Sequence, residues 1–314
     1  MSRPSLSVIL PVYNAAEFLD EAVDSVRTQS RDDLELIAID DGSTDASLAI
    51  LGRHAAADRR VRVVARAHEG IEAALNAGLA QAAAPLVAVM NADDVARPDR
   101  LARQAALLEA EPGVAAVSGA MSWIDPAGRE FRVSRPPTGP AEIRATLRRT
   151  NCMAHPAVML RRDAALAQGG YRTGFAYAED YDLWLRLAER WDLANLPEIL
   201  LAYRVHPASM SPRKSRQQIL SDLGARLAAE RRAAGEPEPR PAVFDRDALI
   251  AAGLAPAAID RALARRLMAA ARLARRCGAA ATARELVAEA TLAARRQGLG
   301  ARIDLLGRRL KARL

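Results

Sequence analysis

Short apolar runs alternate with helical periods through the first third of the chain. The runs Leu6–Leu10, Leu34–Asp40, Val61–Ala65, Leu86–Met90 and Val114–Gly119 have the length and the Val, Ile and Leu content of buried strands. Between them, Leu19, Val23 and Val26 mark one helix face after Asn14, Ile71, Leu75 and Leu79 mark another, and Pro98–Asp99 opens a helix carrying Leu101, Ala105 and Leu108. A further helix is expected from Asp45, with Ser43 and Thr44 as caps of its first turn. Strands alternating with helices predict a mainly parallel sheet covered by helices, an α/β fold.

Beyond residue 119 the pattern loosens. "DPAGRE" (125–130) reads as a turn, "SRPPTGP" (134–140) as a loop, and Val158–Leu160 as a short apolar run. Tyr181–Trp191 has a helical period, with Tyr181, Trp184, Leu185 and Ala188 on one side and Asp180 near its start. From about residue 213 the texture turns to Ala, Arg and Leu. A Pro/Glu linker, "GEPEPRPAV" (235–243), divides a helix near 213–233 from helices near 256–277 and 280–297, the first of the later pair striped by Ile259, Leu263, Leu267, Ala270 and Ala274. This predicts one domain over 1–212, divisible at residue 119, and a helical region over 213–314.

At 314 residues, half of them apolar, the chain can bury a large core, which excludes global disorder. No run nears the ~18 apolar residues of a membrane span and no leader pattern opens the chain, so a cytoplasmic protein, at most peripheral to the membrane, is expected. Cys152 and Cys277 form no CxxC pair, which argues against a thiolate zinc site and fits a reducing compartment. The net charge of +7 divides into −5 over residues 1–212 (23 basic, 28 acidic) and +12 over 213–314 (22 basic, 10 acidic), so the basic character belongs to the tail. Only Lys214 and Lys311 among the basic residues are lysine, a bias of GC-rich bacterial coding. The tail lacks a nucleic-acid motif and aromatics among its arginines, which argues against nucleic acid as a partner. It could lie on an anionic membrane surface, or pack on the rest of the chain or on another subunit in an oligomer.

Three acidic elements draw attention: Asp40–Asp41 in "IDDGSTD", Asp93–Asp94 in "NADDVARPDR", and Glu179–Asp180 in "AEDYDLW". The first two end predicted strands, where open parallel sheets carry their chemistry. Converging carboxylates suit Mg²⁺ or Mn²⁺ with a nucleoside diphosphate completing the shell. Each pair taken singly is more often a turn former or helix cap, and it is the three together that point to binding.

The stretch from Leu6 to Ser47, with its PVYN opening and DDGSTD loop, closely resembles glycosyltransferase family 2. "ALNAGLAQA", "NADDVARPDRLARQ", "HPAVMLRRD", "GGYR", "AEDYDLWLRL" and "YRVHPASMS" follow in the family's order, over residues 5 to about 212. The resemblance implies a GT-A fold, a Rossmann-like sheet with a nucleotide-sugar pocket, followed here by the α-helical extension. It implies that Pro11, Tyr13, Asp41, Asn76, Asn91 and Asp93 line the donor, that Asp93, Asp94 and His206 hold a divalent metal (Mn²⁺ or Mg²⁺), and that Asp180 is the catalytic base. Glu179 and His155 would shape the acceptor side. The family's DXD motif often carries an acid where this chain has Asn91, which narrows the metal role to Asp93 and Asp94.

The expected function is inverting transfer of a sugar from a nucleotide-diphosphate donor, by default a UDP-sugar, to a hydroxyl of a sugar, glycolipid or polysaccharide acceptor in bacterial surface assembly. A catalytically impaired relative serving as a binding scaffold is the rival reading. A dinucleotide-dependent oxidoreductase is disfavoured, because no GxGxxG follows the first strand. His54 and His68 carry no signal in sequence; Trp184 and Trp191 read as core, and Trp123 could face a sugar.

Overall fold

The computed structural model describes residues 4–209 and 214–297. The boundary expected between residues 212 and 213 lies outside the described residues. The chain divides into two compact units, Met1–Arg172 with Leu183–Arg204, and Thr173–Asp182 with Val205–Leu314.

The first unit is built on a mixed sheet. Strands β1 (Leu6–Val12), β2 (Leu34–Asp40), β3 (Val61–Ala65) and β4 (Leu86–Val89) are parallel, in the order β3-β2-β1-β4. All seven residues of β2 are buried, as expected of a strand covered on both faces. Their crossovers are α1 (Leu19–Arg27), which buries its expected Leu19, Val23 and Val26, α2 (Ser47–Ala57), and α3 (Ile71–Gln81), which buries Leu75 and Leu79 and leaves Ile71 half-buried. In α3 the stripe includes Gly78, where an added Cβ would lie 2.4 Å from Ile9 of β1; the missing side chain lets the helix seat directly on the strand.

Past β4 the sheet changes direction. Strand β5 (Val95–Ala96), helix α4 (Arg100–Ala110), β6 (Val114–Ile124), β7 (Glu130–Val133), α5 (Pro140–Leu147), β8 (Met159–Arg161), α6 (Arg162–Ala167) and β9 (Asp192–Arg204) complete the unit. Strand β8 is antiparallel to both β4 and β6, β9 runs parallel to β6, and β5 and β7 pair antiparallel at β9 and β6. The mainly parallel character thus holds in the β3-β2-β1-β4 half, and the other half is mixed. Strand β5 is too short to show a period, and β7 alternates over only four residues, none fully buried.

Two local expectations are corrected. Ser43 and Thr44 do not cap α2. The helix starts at Ser47, and both residues bond Asn14 instead. The helix expected over Tyr181–Trp191 is α7 (Glu179–Leu187), and Trp191 is only half-buried, whereas Trp184 is fully enclosed.

The second unit holds the first residues of α7 and helices α8 (Ser215–Ala233), α9 (Arg246–Ala251), α10 (Pro256–Arg276) and α11 (Ala280–Arg295). In α10 the buried stripe runs Ile259, Leu263, Leu267, Ala271 and Ala274, one residue away from the expected Ala270. Phe244 fills the notch left by Gly224 of α8, and its ring lies 5.1 Å from that of Phe175. Asp222 of α8 is paired with Arg266, and Asp260 of α10 with Arg246 at 3.0 Å. Arg261, Arg265, Arg272, Arg275 and Arg276 remain exposed on α10. Among the described residues, no helix is long and apolar enough to cross a membrane.

Candidate active site

The loops after β1 and β2 are clasped together by their side chains. Asn14 takes a left-handed backbone (φ 49°), a conformation its short amide tolerates better than most side chains. Its Oδ1 accepts the Thr44 N–H at 2.7 Å while its own N–H donates to Ser43 Oγ at 3.0 Å. Asp45 and Ser47 accept from the N–H groups of Ala16 and Ala15. The PVYN and DDGSTD motifs are therefore halves of one structure. It leaves Pro11 half-buried near the end of β1 and the Tyr13 ring 48% exposed beyond it.

Asp41, one residue past β2, is buried. Its Oδ1 accepts the Glu69 N–H at 3.0 Å and its Oδ2 the Gly70 N–H at 2.9 Å, so it holds the loop that follows β3. His68 of that loop places Nδ1 2.8 Å from Asp41 Oδ2 and stacks on Tyr13, with ring centroids 4.1 Å apart and planes 19° from parallel. Gly42 is obligatory beneath it, since φ is +77° and an added Cβ would meet the His68 backbone nitrogen at 2.9 Å. Sequence reasoning passed over His68. Its position just beyond β3, on the same sheet edge as the other loops, was the available signal.

At the end of β4 the two aspartates of NADD have separate tasks. Asp94 is completely buried: Oδ1 accepts the Arg204 N–H at 2.8 Å and Oδ2 accepts the Asn91 amide at 3.1 Å. Burial, and then the charge of Asp93, hold its pKa well above the usual carboxylate range, while the two hydrogen bonds and the charge of Arg100 oppose that shift. The Arg100 guanidinium is buried as well, donating to Val89 O at 2.7 Å, and desolvation pulls its pKa down to about 9, which leaves it cationic at neutral pH. A cation could reach Asp94 only by displacing the donors that make its burial tolerable. One of those donors is an amide N–H of Asn91, and an acid at that position would set a like charge against a buried carboxylate.

Asp93 is the half-buried member of the pair. Its loop is fixed by Arg204 at the end of β9, whose side chain is 2% exposed. Nε donates to Asp93 O at 3.0 Å, Nη1 to Pro126 O at 3.1 Å in the β6–β7 turn, and Nη2 to Glu21 Oε2 of α1 at 2.6 Å; the guanidinium lies 4.6 Å from the Phe18 ring centre. Strand β5, pinned to Leu201 and Ala202 of β9, holds the other side of the loop. Among the described residues, no three Asp, Glu, His or Cys side chains cluster to hold a metal ion. What the β4 edge offers is one hard-oxygen carboxylate, which suits Mg²⁺ or Mn²⁺ when diphosphate and water supply the remaining ligands.

Asn76, expected to line the donor, bonds the backbone of Tyr171. Its Nδ2 donates to Tyr171 O at 2.7 Å and its Oδ1 accepts Tyr171 N–H at 2.9 Å, so both ends of the amide serve to anchor the GGYR turn rather than to face a donor. His155 is half-buried, with Nε2 3.0 Å from the Tyr171 hydroxyl; desolvation drops its pKa to about 3, so the ring is neutral at physiological pH. Trp123 is hemmed by Tyr203 at 5.2 Å and overlain by Arg132 at 4.8 Å.

In the second unit, Glu179 and Asp180 open α7, where the helix dipole favours their charge. Glu179 is buried and Asp180 half-buried, with Asp180 Oδ1 accepting the Tyr181 N–H at 2.7 Å. His206 lies in a tight turn, donating its N–H to Ser209 Oγ at 3.0 Å and accepting the Ser209 N–H at 2.9 Å.

Comparison with known proteins agrees with this architecture. The solved structures it resembles include the mannosyltransferase PcManGT from Pyrobaculum calidifontis in complex with GDP-Man and Mn²⁺ (TM-score 0.57, 22% identity, covering 99% of this chain and 87% of that one). S. aureus TarS in complex with UDP is a second (TM-score 0.54, 18% identity, 93% and 91%). At these identities the likeness establishes the fold, which is GT-A. Among relatives by sequence, the O-antigen biosynthesis glycosyltransferase WbnJ of Escherichia coli is 33% identical over 65% of this chain and 81% of that protein. The amylovoran biosynthesis glycosyltransferase AmsE of Erwinia amylovora is 31% identical over 69% and 82%. The family described as "Glycosyl transferase family 2" matches residues 7–169. With more than half the chain matched by the family and four-fifths of these relatives spanned, the chain belongs to glycosyltransferase family 2.

Proposed function

We propose that the protein transfers a sugar, with inversion, from a UDP-sugar to a hydroxyl of a sugar, glycolipid or polysaccharide acceptor in bacterial surface-polysaccharide assembly. The observation that carries the reading is the division of labour in NADD: Asp94 is locked inside, and the neighbouring Asp93 is left accessible at the β4 edge beside the Tyr13–Asp41 loops. The relatives named for O-antigen and amylovoran biosynthesis support the acceptor class, and the neighbour bound to UDP supports the nucleotide.

In this reading Tyr13 stacks the base, Asp41 accepts a base or ribose N–H or O–H, and Asp93 is the protein ligand of a divalent ion. Bound there, the ion would offset charge developing on the leaving diphosphate. Asp180 accepts the proton of the acceptor hydroxyl as its oxygen attacks the anomeric carbon from the face opposite the diphosphate, and no covalent enzyme intermediate is required. Exposed arginines of α10 would suit contact with an anionic leaflet where a lipid-linked acceptor resides.

The test is nucleoside diphosphate release from a panel of UDP-sugars and GDP-mannose, with Mn²⁺ or EDTA, followed by NMR assignment of the product anomer. Asp180→Asn should keep donor affinity and lose on the order of 10²–10⁴ in turnover. A retained anomeric configuration, or unchanged turnover in that variant, would remove the inverting mechanism or its base. Nucleotide binding without turnover on any acceptor would favour a scaffold.

A further inference from the structure

We propose that His68 is an internal placeholder for the nucleobase, occupying the base site of the free protein and leaving it when the donor arrives. The proposal rests on the donor reading above and adds to it a residue that sets donor affinity. An imidazole stacked on Tyr13 with a ring N–H directed at Asp41 makes the two contacts asked of a base carrying a ring N–H: an aromatic face and a donor to the acceptor oxygens of Asp41, its backbone O at 3.0 Å and its Oδ2 at 2.8 Å. These two oxygens fix the tautomer, because only a protonated Nδ1 meets both of them favourably.

The spacing excludes a sandwich. With centroids 4.1 Å apart and planes 19° from parallel, nothing fits between the two rings, so a base can take the inner face of Tyr13 only after His68 departs. Departure is sterically open. The His68 side chain is 53% exposed, and its loop stays held by the bonds from Glu69 and Gly70 to Asp41, which do not involve the imidazole. The Asp41 carboxylate therefore keeps its two backbone N–H donors, and only the Nδ1 contacts to its Oδ2 and to its backbone O are given up. Donor binding pays for the broken stack and hydrogen bond, which lowers affinity and favours bases that restore both contacts.

The test is calorimetric binding of UDP, with GDP in parallel, to the full-length protein and to His68→Ala, His68→Phe and Tyr13→Ala. His68→Ala should bind UDP about tenfold tighter, equivalent to about 1.4 kcal/mol. His68→Phe, which keeps the stack and loses the hydrogen bond, should fall between it and wild type. Tyr13→Ala should bind more weakly than wild type. In NMR of the wild type, the His68 ring signals should move when UDP is added, as the ring leaves the shielding face of Tyr13. Equal or weaker binding by His68→Ala, or His68 signals unmoved at UDP saturation, overturns the placeholder while leaving the donor site standing. Failure of both wild type and His68→Ala to bind either nucleotide overturns the donor reading, and the placeholder with it.

Discussion

Replacing Arg204 by alanine should unfasten the NADD loop without touching either aspartate. The side chain makes two well-formed bonds to backbone carbonyls, to Asp93 O at 3.0 Å and Pro126 O at 3.1 Å, and each such bond from a charged donor contributes roughly 1.5–3 kcal/mol. The longer approach to Asp125 O, 3.4 Å, adds little. The ion pair with Glu21 also counts for little, because Glu21 is 57% exposed and water can replace the lost partner. The Phe18 contact adds about 0.5–1 kcal/mol. Allowing for water entering the vacated space, the loss should be about 3–5 kcal/mol, which lowers the melting temperature by roughly 6–20 °C in a domain of this size. Arg204→Lys, able to restore one bond but not the fork, should recover less than half. Where the Arg204→Ala protein remains folded, displacement of Asp93 by about 1 Å should cost on the order of 100-fold in kcat/KM. Scanning calorimetry with a UDP-release assay reads both quantities. A melting temperature within 2 °C of wild type, or an unchanged kcat/KM, would refute the claim that Arg204 anchors the loop.

Three further perturbations test other parts of the framework. His155 titrates from 6.5 in the unfolded chain to about 3 in the fold, so the unfolded state binds more protons in that window and stability should fall as pH drops below 6.5, by about 1–2 kcal/mol at pH 5; urea melts of His155→Gln should lack that component, and identical pH slopes would sink the assignment. Gly78→Ala should destabilise by about 1–3 kcal/mol because the new methyl collides with Ile9, although helix propensity alone would favour alanine by about 1 kcal/mol; a stabilised variant would show that α3 does not seat on β1 as described. Asn76→Ala should cost about 2–4 kcal/mol by leaving the Tyr171 N–H and C=O unmet, and hydrogen exchange at the Tyr171 amide should rise with it; an unchanged exchange rate would contradict the clamp.

The parallel half of the sheet was legible because its strands are short runs dominated by Val, Ile, Leu and Ala, and helices α1 and α3 because their stripes are long enough to show a period. The motif residues were legible as a set, but their division of labour was not. Asp93 and Asp94 are equivalent in sequence, and only the register of β9, which delivers the Arg204 N–H to Asp94, separates the half-buried carboxylate from the buried anchor. That Asn76 bonds Tyr171 and that Asn91 donates to Asp94 could not be read locally either, since both partners are set by the fold. His68 had no local pattern to betray it, since its partners Tyr13 and Asp41 come from two other loops. Strands of two or three residues, such as β5 and β8, are too short to show a period and exist through their partners.

The fastening of the NADD loop by β9 also sets an order of events during synthesis. Asp94 and the backbone N–H that satisfies it are 110 positions apart, and Glu21 waits 183 positions for the guanidinium that pairs with it. Strands β1 to β4 can assemble from the first 90 residues, but a nascent chain at that stage carries a carboxylate bound for burial with its main-chain donor still unmade. At 5–20 residues per second the gap lasts roughly 5–22 s. Through that interval the donor edge is open to water, and it becomes a binding surface only when β9 slots in between β6 and β5.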